Sequence, residues 1–232
     1  MYTNPQSIAE VFEASAQYVI PVFQRHYVWD RETQWEALWE DLLAQARVRL
    51  QGQVPKPHFC GAIVVDQKKQ QAVNELPRYQ VIDGQQRLTT FQVILAAIRD
   101  VCAAKGLSKQ HRRIVPYLVN QNFGEQRDPE SEQYKLRPTR FDSEFFRNVI
   151  SYGDREKISQ KYVAKPNRGR AATPRISAAP RIIAAYLFFY DQAIRSITQC
   201  EEIFGSESYE PEEIIDSIID AFTSFFRSVS LC

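Results

Sequence analysis

The run from Arg78 to Cys102 constrains this chain more than any other. Arg78-Tyr-Gln-Val-Ile82 alternates in the manner of a strand, Asp83-Gly84 breaks it, and Leu88, Phe91, Leu95, Ile98 and Cys102 then recur at helical spacings of three and four. A strand that passes through a tight turn into a long apolar helix must pack that helix on its own sheet, which excludes all-α and all-β folds. The turn also carries chemistry. Gly84 lets the backbone bend and approach a ligand, and the free N–H groups that open the helix favour negative charge. Arg87 offers a cationic fork, Gln85 and Gln86 offer amide donors, and Thr89 and Thr90 offer hydroxyls, a set suited to a phosphate group. Asp83 serves either as a ligand to a divalent cation or as the cap of the helix. The competing reading is an ordinary Asp-Gly turn with Arg87 in a local ion pair.

Around this centre the pattern predicts a mixed α+β chain. Ser7-Ile-Ala-Glu10 has the form of a capping box before a short helix with Ile8, Val11 and Phe12 on one face. A short strand follows at Tyr18–Pro21, and Asp30 caps a helix with the stripe Trp35, Leu38, Trp39, Leu42, Leu43 and Ala46. Phe59 to Val65 is expected to be a buried strand, joined to the next by a polar hairpin connection from Asp66 to Pro77. Further on come a weaker helix through Ile114 and Leu118, an extended Lys135-Leu-Arg-Pro-Thr139, and a helix capped by Asp142. Residues 152–180 read as a basic loop, and long apolar helices are expected from Arg181 and from Pro211, the last running through Phe222 to Phe226. Two units are expected, a nucleotide-binding core at 1–105 and a helical extension at 106–232. The end on Ser-Leu-Cys232 suggests a piece of a longer protein.

Composition excludes some classes. There is no run of about 18 apolar residues and no signal peptide at the start, so no membrane is expected and a reducing cytoplasm is the simplest location. Cys60, Cys102, Cys200 and Cys232 are too scattered for a structural zinc site. The net charge of +1 conceals a split, with eight bases against one acid over 155–181 and nine acids against one base over 191–220. That split predicts one face for a polyanion, with Lys161, Lys165, Arg168 and Arg170 as candidate DNA contacts.

A second constellation, Ile20-Pro-Val-Phe-Gln-Arg-His-Tyr-Val-Trp29, places rings beside Arg25 and Gln24. Rings of this kind either stack on a base, with Tyr27 as a DNA contact, or anchor the loop in the core with Arg25 paired to a carboxylate such as Asp41.

Taken together, Ile-Pro-x-Phe-Gln-Arg-x-Tyr-x-Trp, His58-Phe-Cys-Gly-Ala-Ile-Val64, Ile82-Asp-Gly-Gln-Gln-Arg-Leu-Thr-Thr90 and Lys135-Leu-Arg-Pro-Thr139 followed by Asp142 resemble the N-terminal domain of the GmrSD family of modification-dependent restriction proteins. The resemblance implies a ParB/sulfiredoxin-like core with a small sheet and a largely helical C-terminal half. It implies a nucleoside triphosphate and a divalent cation, Mg, at the Asp-Gly-Gln-Gln-Arg motif. Asp83, Gln86 and Arg87 would then be catalytic, and Gly84, Gln85, Thr89, Thr90, Gln24 and Arg25 would bind the nucleotide. Modified phage DNA, a C-terminal HNH-type nuclease domain or subunit, and a second copy in a homodimer are the implied partners. Two further readings stay open: a non-catalytic DNA-binding module that uses the same turn, and a phosphodiesterase.

Overall fold

In the computed structural model, which describes residues 3–68, 75–120, 132–163, 179–205 and 209–231, the strand and helix around Gly84 form the centre of the fold. β1 spans Thr3–Ser7, β2 Gln17–Val19, β3 His58–Gln67, β4 Arg78–Asp83, β5 Leu136–Arg137 and β6 Phe226–Leu231. They form one sheet in the order β1-β6-β3-β4-β2-β5. β4 pairs antiparallel with β3 and parallel with β2, and β6 joins the other edge of β3 in parallel.

The helices are α1 (Ile8–Glu13), α2 (Glu36–Leu50), α3 (Gln85–Ala104), α4 (Ser108–Leu118), α5 (Ser143–Tyr152), α6 (Arg155–Tyr162), α7 (Arg181–Thr198), α8 (Cys200–Phe204) and α9 (Pro211–Asp220). The capping box at the start of α1 is formed, since Ser7 Oγ accepts from Glu10 N while Glu10 Oε2 accepts from Ser7 N. α3 is enclosed on every side: each residue from Leu88 to Cys102 is buried. A helix whose residues from Leu88 to Cys102 keep at most 8% exposure, at Arg99, lies at the middle of a core rather than on its surface. Its buried charges are paired, Arg99 Nε donating to Asp100 Oδ1 at 2.6 Å and Tyr186 Oη to Asp100 Oδ2 at 2.7 Å. Residues on both sides of position 105 contribute to this one core and to the sheet.

Three expectations are corrected. The last helix does not continue to Phe226: after α9 a π-helical turn at Ala221–Phe225 leads into β6, and Phe226 starts that strand. The segment taken as a basic loop begins as α6, because Asp154 Oδ1 accepts from the N–H groups of Glu156 and Lys157 and caps it. β3 is buried on one face only, with Ile63 and Val65 inside and Phe59 exposed. Within the acidic run, Arg113 bridges Asp216 and Asp220, Arg49 also meets Asp220, and Arg155 forms a two-pronged pair with Asp191, while Lys165, Arg168, Arg170 and Arg175 of the basic run lie outside the described residues. Among the described residues, no helix is long and apolar enough to cross a membrane.

Lys135, just before β5, is 2% exposed, and its Nζ donates to the carbonyl of Ala14 at 2.7 Å. Burial depresses its amine to about 8, partly offset by Glu13. Because the folded state holds this proton less firmly than the unfolded state, stability is lowest below pH 8 and rises as pH climbs toward the unfolded value. Between pH 8 and 9.5 this one group should add roughly 1–2 kcal/mol. Urea denaturation at both pH values should show that rise in the wild type and lose it in Lys135→Met; equal pH dependence of the two would contradict it.

Candidate functional site

β4 ends in a bulge, for Val64 faces Asp83 while Val65 faces Val81, so Ile82 stands out of the ladder. Its carbonyl accepts from Gln24 Nε2 at 3.0 Å. Bulges of this kind re-aim the residues beside them. Gly84 follows with φ +93° as the cap residue of α3, and no side chain caps the helix. The alternative of Asp83 as the cap is thereby removed. Its carboxylate is 70% exposed beside the helix start, and Gln85, Gln86 and Arg87, whose backbone N–H groups a helix start leaves without an intrahelical acceptor, line the same cleft.

Arg87 is placed differently from the free phosphate fork that the sequence suggested. Its guanidinium donates to the carbonyl of Ala62 and lies 3.4 Å from Asp83 Oδ2. It packs flat on Gly61, where a Cβ would come within 3.0 Å of Nη1. The local ion pair is present, with the Asp83 carboxylate still exposed beside the turn. Arg25 is the cation left available: its side chain is exposed and has no ion-pair partner among the described residues, while Asp41 pairs with His58 instead.

The two glutamines hold the aromatic loop. Gln86 accepts from Val28 N at 2.9 Å and donates to the carbonyl of His26 at 3.1 Å, and Gln85 Nε2 donates to the carbonyl of Arg25 at 3.3 Å. From the far side Asp142 accepts from Tyr27 N at 2.8 Å and from Thr139 Oγ1 at 2.9 Å, so it anchors the loop and makes no side-chain cap on α5. Tyr27 is 2% exposed, with its hydroxyl bonded to Thr90 and accepting from Trp35 Nε1. Burial, before any other cause, pushes that phenol upward.

These contacts reassign several expected site residues. Tyr27 is a core anchor and cannot meet DNA. Thr89 and Thr90 are buried and bond back to the carbonyls of Gln85 and Gln86, a turn earlier on α3, so neither faces the cleft. Gln86 has both ends of its amide engaged. Lys161 sits over the rings of Tyr152 and Tyr162 near Glu144, and the bond to Tyr152 chiefly raises its pKa. Lys165, Arg168 and Arg170 lie outside the described residues.

The structure does bring Gln24, Arg25, Asp83, Gly84, Gln85, Gln86 and Arg87 together around a cleft of about 360 Å³ that Trp29 also lines. Small-molecule sites span roughly 300–1,000 Å³. Two buried polar atoms in this group, Gln85 Oε1 and Arg87 Nε, have no partner. No cluster of three or more acidic, histidine or cysteine side chains occurs among the described residues. A divalent cation here would thus be held by Asp83 together with ligand oxygens, the arrangement Mg²⁺ commonly takes beside phosphates.

The family model described as GmrSD restriction endonuclease, N-terminal domain, matches residues 8–227. Comparison with curated proteins finds no match.

Proposed function

This chain belongs to the family of GmrSD restriction endonuclease N-terminal domains, and we propose that it binds and hydrolyses a nucleoside triphosphate in the Gly84 cleft. The observation that carries this reading is the uncapped, glycine-opened start of a twenty-residue helix facing an unpaired arginine and an exposed carboxylate. The amides of Gln85 and Gln86 and the guanidinium of Arg25 cradle the phosphates; Asp83, steadied by Arg87, holds the divalent cation. When bound, that ion neutralises phosphate charge. Phosphoryl transfer depends chiefly on such positioning and charge compensation. In this reading, nucleotide turnover on modified phage DNA licenses cutting by a nuclease domain or subunit outside this chain.

The test is release of inorganic phosphate from GTP, UTP, CTP and ATP, with and without DNA. Turnover is expected with at least one nucleotide, and Arg25→Ala should reduce it by at least about tenfold, the loss of one charge-assisted contact of about 1.5–3 kcal/mol. No release from any nucleotide under either condition would leave the non-catalytic DNA-binding module as the reading.

A further inference from the structure

Next to the phosphate cleft lies a second cavity of about 620 Å³, and the two share Gln24 and Arg25 as a common wall. Its character differs. Val22 is 87% and Phe141 68% exposed, the rings of His26 and Phe141 stand 5.2 Å apart at 50°, and Arg140 is exposed beside them. Arg140 has no ion-pair partner among the described residues. Exposed apolar side chains gathered beside a cation offer a surface that can receive a flat, polar-edged ligand.

The cavity is also built, because its two walls come from segments more than a hundred residues apart and are tied together. Asp142, the neighbour of Phe141, bonds to the backbone of Tyr27, the neighbour of His26. Gln86 holds His26 from the α3 side and Gln24 is tied to Ile82. The backbone segments that carry the two rings are therefore held in place relative to the phosphate cleft.

We propose that this cavity receives the base of the nucleotide whose phosphates occupy the Gly84 cleft, an assignment that rests on the reading above. A base offers a flat face to Phe141 and His26, acceptors on its edge meet Arg140, and the sugar passes over the shared wall at Gln24 and Arg25. Aromatic stacking tolerates purines and pyrimidines alike.

The test compares a non-hydrolysable nucleoside triphosphate with inorganic tripolyphosphate, which has no base, by titration calorimetry. Phe141→Ala should weaken the nucleotide about tenfold, equivalent to about 1.4 kcal/mol, and leave tripolyphosphate unchanged; Phe141→Trp should restore nucleotide affinity. Unchanged nucleotide affinity in Phe141→Ala overturns the proposal, as does an equal loss for both ligands, or a loss confined to single-stranded DNA. Wild-type chain that binds tripolyphosphate as tightly as nucleotide overturns the base pocket alone, with the phosphate cleft intact. Binding of neither ligand overturns both.

Discussion

Gly84→Ala should lower the unfolding free energy by roughly 2–5 kcal/mol and eliminate nucleotide binding in the same step. Two costs combine. With φ at +93° a Cβ is strained in itself, by roughly 1–2 kcal/mol. That Cβ would also lie 3.1 Å from Ile63 Cα and 3.2 Å from the carbonyl of Ala62. Both belong to the backbone of β3, so relief requires the sheet or the helix start to move, at roughly 1–3 kcal/mol. Movement there also displaces the Ala62 carbonyl that holds Arg87. In a chain of this size the melting temperature should fall by roughly 4–20 °C. Gly52→Ala supplies the control, since its φ is +73° and nothing lies within 4 Å; it should show the strain without the clash and keep nucleotide affinity. Equal melting temperatures for the two variants would contradict the packing argument.

The second large effect is expected at Gln86, whose amide is engaged by the backbone of the aromatic loop. Gln86→Glu keeps the acceptor for Val28 N but sets a carboxylate oxygen against the carbonyl of His26, where a donor stood. Losing one buried hydrogen bond and opposing two acceptors costs roughly 2–4 kcal/mol. The strain falls on the loop that presents Arg25, so nucleotide affinity should drop at least as far as in Arg25→Ala. The two variants differ in a second readout: protease cleavage within the Gln24–Trp29 loop should increase in Gln86→Glu and stay at the wild-type level in Arg25→Ala. Wild-type loop protection combined with lost turnover in Gln86→Glu would instead assign Gln86 a direct catalytic role.

The sequence revealed the strand, turn and helix at Gly84 because the apolar period changes there from two to three and four, and a glycine marks the break. It hid β6 because Phe222 and Phe226 stand four apart, the spacing of a continuing helix, and nothing local signals the π-helical turn between them. β1 was hidden for another reason. Thr3-Asn-Pro-Gln-Ser7 is polar and contains a proline, acceptable only because this strand lies at the edge and pairs with β6 alone. At the site, residue types were legible and their partners were not. Gln85 and Gln86 look like ligand donors until their bonds to backbone groups about 60 residues away are seen, and Asp142 looks like a cap until it is found on Tyr27. Phe141 and Arg140 carried no signal of their own, because their position depends on that same Asp142 contact.

The most direct measurement of the central claim is a crystal structure of this chain with a non-hydrolysable nucleoside triphosphate and Mg²⁺. The phosphates should lie within hydrogen-bonding distance of the Gln85 and Gln86 backbone N–H groups and the Arg25 guanidinium, with the metal on Asp83. Phosphates bound elsewhere, with the Gly84 cleft containing only solvent, would contradict it.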